Sequence, residues 1–443
     1  MNKFRLVISL ILLASVAVGG TVSAQDDTRP LKIGVLGPLS GPFASFGEQM
    51  FEGVTLALEQ YDYTVAGHPI EVIFEDTRLD NEIAVDKATK LDEQDNVDVI
   101  IGPVSGGEGL SVLDWATQSG VPVVVPYSAP EDMTMRLAVN NVIRNSWTGA
   151  QPMDPFGYWV ATELGYKRIY MIGEDYSYPY NQAGGFKRGF CRGGGEEVTT
   201  VWHPVPTEDF SSIIATIPME GYDAVLYNGA GSDAVAFAKQ YVDFGMLDVY
   251  PLLGQSNTFE QGDLPAMPTE VVGAISAIQY LETLDTPEFV AFRDAYQERW
   301  GKTPAAAAEH AYTAAVMIIR AIEQNEGSLD RDALIATLRA FEYPDAPRGP
   351  FYLDEYANPV HNIYIRQVRE IDGRLANVGL YYVPNVSQFG PYDPETYMAQ
   401  PPDARDYPPD KCSELPPEML NVETTYEFIP MVGAEDYLDY YGR

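Results

Sequence analysis

Apolar positions along this chain fall into two spacings: short continuous runs, and longer stretches in which they recur three or four residues apart. The first spacing predicts buried strands and the second predicts helices with one packed face. Residues 31–36 are a short apolar run with β-branched residues, a buried strand. Gly37, Pro38, Gly41 and Pro42 then force a loop, since neither residue type continues a strand or a helix. After Gly47 the residues Phe51, Val54, Leu58 and Tyr61 lie at helical spacing, so the loop feeds a helix. The rhythm repeats as strand 70–74, helix 81–91, strand 97–101, helix 108–118 and the near-continuous apolar strand 121–125. Such alternation predicts βα units around a parallel sheet buried on both faces.

A second series follows: strands 168–172, 198–202, 224–227 and 250–253, with helices at about 181–191, 210–217 and 232–243. Residues 287–341 read as three helices in a row. The middle one, roughly 304–325, carries Ala311, Ala314, Ala315, Ile318, Ile319 and Ile322 on a packing stripe. A helix-only stretch this late cannot complete the second sheet, and it is expected to pack back on the first domain. Strands 361–371 and 374–383, joined at Asp372-Gly373, predict a hairpin. From 384 onward Pro, Tyr and Asp are frequent and periodicity is lost, which reads as an extended tail docked over the surface.

The first residues differ in kind. Lys3 and Arg5 precede an apolar run and then Val22-Ser23-Ala24, the pattern of a secretory signal peptide cut after Ala24. A retained anchor is the competing reading, but the apolar core is short for a span and ends in Gly19-Gly20. The expected location is the periplasm or outside the cell, with no cysteine near the cleavage site to carry a lipid. The remaining length, about 420 residues, implies two domains. The net charge of −36 argues against nucleic acid and anionic membranes as partners. Cys191 and Cys412 are the only cysteines. A disulfide tying the tail to the second domain and two free buried thiols both fit.

Catalytic constellations are scarce. His68, His203, His310 and His361 lie far apart, and there is no HExxH, GxSxG, CxxC or GxxxxGKS. Neither an enzyme nor a metal or cofactor is expected. What recurs is a polar, aromatic or glycine-bearing loop after each strand: 40–45, 102–107, 126–129, 174–178, 228–231 and 254–257. Ligands of open α/β sheets bind beyond the strand C-termini, so two such domains face to face would line one cleft.

The segments GPLSGPFASFGEQMFEGVTLALEQ, IIGPVSGGEGL, GVPVVVPYSAPEDMT, GEDYSYPYNQAGGFKRGF, DAVLYNGAGSDAVAFAKQY and GPFYLDEYANPVHNIYIRQV, in this order over about 31–383, resemble type I periplasmic solute-binding proteins of ABC importers, in the branched-chain amino-acid and amide (Leu/Ile/Val-binding) branch. The resemblance implies an α/β fold of two Rossmann-like lobes with parallel sheets, joined by three crossover strands near 145–150, 274–281 and 348–362. It implies a first lobe of 25–147 plus 279–349 and a second of 148–278 plus 350–383. Residues 1–24 precede them as the signal peptide, and 384–443 follow as an irregular C-terminal extension.

The family's ligand residues carry over to Ser105 after the third strand, to Tyr127, Ser128 and Ala129, which would receive a ligand carboxylate, and to Tyr178 in the second lobe. Phe43 comes from the first loop. Two positions depart from the pattern. Ala230 stands where an aromatic is expected, and Ser256 stands near the place of the acid that would pair a ligand ammonium. Without that acid a neutral or anionic ligand gains ground, unless Glu174, Asp175 or Glu260 substitutes. Duller roles compete: Ser105 and Ser128 as helix caps, Tyr178 as interlobe packing and Trp147 as hinge packing. Tyr127 is new to the pattern and suits stacking on an apolar or aromatic ligand.

The expectation is a monomeric solute-binding subunit that captures a small amino acid, amide or carboxylate by hinge closure and presents it to an ABC permease. A ligand sensor docking on a membrane receptor is the alternative, and a secreted hydrolase the least favoured.

Overall fold

The computed structural model describes residues 29–423 and 425–431. The expected signal segment lies outside them. The first sheet takes β1 (Leu31–Gly37), β2 (Thr64–Val65), β3 (His68–Asp76), β4 (Val99–Ile101), β5 (Val123–Val125) and β6 (Val142–Arg144), in the spatial order β2-β3-β1-β4-β5-β6. All neighbours are parallel except the β2–β3 hairpin. Helices α1 (Ala44–Gln60), α2 (Asn81–Glu93) and α3 (Gly106–Ser119) connect these strands. Alternation along β1 sorts its two faces. Ile33 and Val35 join a core with α1, whereas Leu36 joins Ala88 and Leu91 of α2 on the other side.

The second sheet begins after α4 (Ala150–Thr162), with β7 (Arg168–Glu174), α5 (Ser177–Arg192), β8 (Glu197–His203), α6 (Ser211–Ile214), β9 (Ala224–Asn228), α7 (Gly231–Asp243), β10 (Leu252–Gly254) and β11 (Ile275–Ile278). The chain then returns to the first sheet as α8 (Pro287–Trp300), α9 (Ala306–Gln324) and α10 (Arg331–Arg339), where α9 lies along α1. The two backbones touch because Gly53 has no side chain: a Cβ there would sit 2.0 Å from the Ala308 carbonyl oxygen. Strands β12 (Glu342–Tyr343), β13 (Phe351–Leu353), β14 (Pro359–Ile371) and β15 (Arg374–Val386) complete the second sheet in the order β12-β13-β14-β11-β10-β9-β7-β8, with β15 on β14. It is parallel from β8 to β11 and antiparallel beyond. The chain thus passes between the lobes three times, after β6, after β11 and after α10.

Several boundaries differ from the sequence reading. α1 starts at Ala44, ahead of Gly47, and α6 is a single turn. The hairpin strand runs on to Val386. α4 was not expected at all, because Pro152 and Pro155 interrupt its pattern. Its buried Met153, Phe156, Trp159 and Val160 nonetheless keep helical spacing.

The tail is more structured than an extended cover. It forms α11 (Pro394–Met398), α12 (Pro417–Leu420) and β16 (Ile429–Pro430), the last paired with β15. The open question of the cysteines closes in favour of the bridge: Cys191 of α5 is bonded to Cys412. On the second lobe Arg188 makes a two-pronged pair with Asp403 (2.6 and 2.9 Å), and Lys187 meets Asp410 at 2.8 Å. On the first lobe Arg136 donates to the carbonyls of Met398 (3.1 Å) and Gln400 (2.8 Å), and Tyr397 donates to Glu131 at 2.7 Å. The extension therefore spans both lobes. No helix among the described residues is long and apolar enough to cross a membrane.

Candidate functional site

The loops at the strand C-termini of the two sheets meet around one cavity. Phe43, Phe46 and Tyr127 supply rings from the first lobe, and Tyr176 and Tyr178 from the second. Val104, Ser105, Gly106, Ala129, Ala230 and Asn257 complete the wall. The lobes lie close together: about 20 Å³ is open to the centre of a water-sized sphere, room for a water or two. An organic ligand therefore enters with the lobes apart or the rings displaced. Gly231 shows how near the lobes come, because a Cβ on it would lie 2.5 Å from the Pro42 carbonyl oxygen. Its φ of +60° is also one that residues with side chains rarely adopt.

Six of the eight residues singled out from sequence line this cavity: Phe43, Ser105, Tyr127, Ala129, Tyr178 and Ala230. Ser128 and Ser256 stand behind it. The Ser128 hydroxyl donates to the Ser105 carbonyl at 2.7 Å and so braces the loop. Arg144, fully buried, braces the loop that carries Ser128 by donating to the carbonyls of Ser128 (3.2 Å) and Pro130 (2.6 Å). Burial lowers its guanidinium to about 9. Phe46, Val104, Gly106, Tyr176 and Asn257 were not named from the sequence. Tyr176 and Asn257 adjoin residues that were, and Phe46 follows Phe43 by three.

One end of the cavity is built of donors. Ser105 caps α3: its hydroxyl oxygen accepts from the Glu108 N–H (3.2 Å), and the Glu108 carboxylate accepts from the Ser105 N–H (2.9 Å). The Ser105 side chain also bonds the Glu108 carboxyl, which burial pushes up. The N–H groups of Gly106 and Gly107 precede the first intrahelical bond of α3. Hydroxyl, amides and the positive helix end together suit a carboxylate. Ser105 is thus a helix cap that also lines the cavity.

Tyr178 is saturated. Its hydroxyl oxygen accepts from Trp147 (3.2 Å), Gln182 (2.7 Å) and Asn257 (3.1 Å) and lies 2.9 Å from the Ser256 oxygen. Ser256 is itself held by Gln182 (2.8 Å) and Gln255 (3.0 Å). A neutral network therefore fills the place where an acid was expected, and Tyr178 offers a ligand its ring. Trp147 stands behind the wall, edge-on to Tyr127 with ring centres 4.9 Å apart.

No ionisable carboxylate lines the cavity. Glu174 lies just behind Ala230, whose N–H donates to it at 3.0 Å, and burial pushes its carboxyl up to about 8. Burial raises Glu260 to about 8 as well, against the pull of Arg366. Burial thus favours the neutral form of both near pH 7. Asp175 is drawn away into a pair with Arg405 of the extension. Among the described residues no group of three His, Cys, Asp or Glu is placed to hold a metal ion.

Residues 30–374 match the model of a family described as periplasmic binding protein. Among curated proteins, Leu/Ile/Val-binding protein homolog 6 of Brucella melitensis is 27% identical over 385 residues, covering 86% of this chain and 96% of that one. A solute binding protein of an ABC transporter from Rhodopseudomonas palustris BisB5, solved in complex with 3,4-dihydroxybenzoic acid, superposes with a TM-score of 0.78 at 27% identity, covering 82% of this chain and 99% of that one. An ABC transporter substrate-binding protein from Sphaerobacter thermophilus superposes with a TM-score of 0.76 at 30% identity, covering 81% and 99%.

Proposed function

The chain belongs to the periplasmic binding protein family, and on that footing we propose that it is the solute-binding subunit of an ABC importer whose cargo is an aromatic monocarboxylate. The observation that carries this reading is a wall of five rings with a helix N-terminus at one end and no ionised acid. The carboxylate sits on Ser105 and the first amides of α3. The ring of the ligand packs against Tyr178, Phe46 and Tyr127, worth about 0.5–1.5 kcal/mol per aromatic pair beyond the area buried. An α-amino acid is disfavoured, because its ammonium would be desolvated with no counter-charge at the wall. The likeness to the R. palustris protein solved with a dihydroxybenzoic acid agrees with this choice.

No chemistry is done on the cargo. Closure of the two lobes buries it and creates the surface that a permease reads. The signal-like N-terminus accords with delivery outside the cytoplasm. A thermal-shift series tests the reading with benzoate, leucine, valine and glutamate. Benzoate should raise the melting temperature, by the equivalent of about 2.7 kcal/mol at a hundredfold excess over its dissociation constant. Stabilisation by leucine or valine with none by benzoate would overturn the ligand class while leaving the family standing.

A further inference from the structure

The end of the cavity opposite Ser105 carries oxygens without partners. Asn257 lines the cavity and spends its amide N–H on Tyr178, which leaves its buried Oδ1 accepting nothing. The Tyr127 hydroxyl is likewise buried without a partner. Its ring stands edge-on to Trp147, whose N–H reaches the Tyr178 hydroxyl, which brings the Tyr127 ring toward the same end. A buried polar atom left unpaired is costly, and a ligand group of the right kind recovers that cost.

Tyr178 measures the distance between the two ends. Gly106, at the donor end, lies beside the Tyr178 Cβ, 3.6 Å from where a Gly106 Cβ would be. Asn257, at the other end, lies 3.1 Å from the Tyr178 hydroxyl. The cavity wall is therefore one tyrosine side chain long. A benzoate with a para hydroxyl has the same length, its carboxyl carbon standing where tyrosine has Cβ and its hydroxyl where tyrosine has its own.

We propose that Asn257 and Tyr127 are specificity residues that read a hydroxyl carried on the ring opposite the carboxylate. The inference rests on the aromatic-carboxylate reading above and names a finer class within it. The ligand hydroxyl donates to Asn257 Oδ1 and accepts from the Tyr127 O–H, filling both vacant positions with one group. An α-ammonium sits one carbon from its carboxylate and does not reach this end. A meta hydroxyl is set off the axis that joins the two ends.

Calorimetric titration of the full mature chain with benzoate, 4-methylbenzoate, 4-hydroxybenzoate and 3-hydroxybenzoate provides the test, repeated on Tyr127→Phe, Asn257→Leu and Asn257→Asp. The readout is the ratio of affinities for 4-hydroxybenzoate and 4-methylbenzoate, which a general weakening of the fold does not move. Wild type should prefer the hydroxyl by about tenfold or more, as for one well-made buried hydrogen bond. The preference should shrink several-fold in Tyr127→Phe and vanish in Asn257→Leu, while Asn257→Asp, which keeps the acceptor, retains it. A wild-type ratio near one, or an unchanged ratio in both Tyr127→Phe and Asn257→Leu, overturns the assignment even if benzoates bind. Binding of none of the four acids overturns the ligand class itself, and this inference with it.

Discussion

The ligand cavity and the seat of the C-terminal extension are both aromatic, buried and shared by the two lobes, yet they handle charge in opposite ways. In the cavity every wall residue is neutral, and burial pushes up the carboxyls of the acids just behind the wall, Glu108, Glu174 and Glu260, the last two to about 8. At the seat, Arg188 and Arg192 of α5 are almost fully buried and face Asp403 and Asp154. The Arg192 guanidinium also lies over the rings of Tyr158, Tyr392 and Tyr426, 5.1–5.3 Å from their centres. The difference follows from how long each partner stays. The extension is tethered by the Cys191–Cys412 bond, so its charges can be buried in matched pairs. A ligand comes and goes, so a fixed charge in the cavity would be left unpaired each time.

The sharpest way to break this contrast is Arg188→Ala, which leaves Asp403 buried and unpaired. It should cost about 3–5 kcal/mol in urea unfolding. The double variant Arg188→Ala/Asp403→Ala should cost less than the single one, because it removes the orphaned charge. Equal costs would mean that the pair is not what holds the seat.

The neutral acids give the cavity side its own signature. The folded chain holds the Glu174 proton from pH 4.5 to about 8, a range in which the unfolded chain has lost it. Stability therefore falls as pH rises through that window and levels off above it, by about 1.4 kcal/mol per pH unit for each such group. Glu174→Gln should flatten the slope by one proton's worth in melts taken between pH 5 and 8. A slope identical to wild type would place the ionised form in the fold.

Gly231→Val should separate closure from folding. Its Cβ meets Pro42 of the other lobe, so ligand affinity should drop by about tenfold or more. The strain at positive φ should cost about 1–2 kcal/mol of stability. Titration beside a thermal melt distinguishes the two effects. Smallest is Ser128→Ala, which removes one brace on the Ser105 loop and should lower stability by about 1 kcal/mol in the same melt.

How much was legible in the sequence varies along the same divide. The βα rhythm marked β1, β4, β5 and α2 because buried strands and helix stripes write themselves in apolar spacing. The six loops were visible for the same reason, as breaks after strands. Which residue of a loop faces inward was not. Tyr127 and Asn257 line the cavity while their neighbours Ser128 and Ser256 stand behind it, a difference of one residue that backbone conformation sets. At the seat the docked tail and the candidate Cys191–Cys412 bridge were legible, but the ion pairs were not. Arg188 and Asp403 are 215 residues apart, and a charge in a helix reads as solvated surface until its partner is known. α4 was hidden by its prolines, although its apolar spacing was there to be counted.

The bond between Cys191 and Cys412 gives the second lobe an unusual order of completion. The two cysteines are 221 residues apart, and the carboxylates that pair with Lys187 and Arg188 also lie beyond residue 400. A chain growing from its N-terminus presents α5 long before any of these partners has been made. A stop codon or frameshift ahead of Asp403 is therefore felt at α5, in the middle of the molecule.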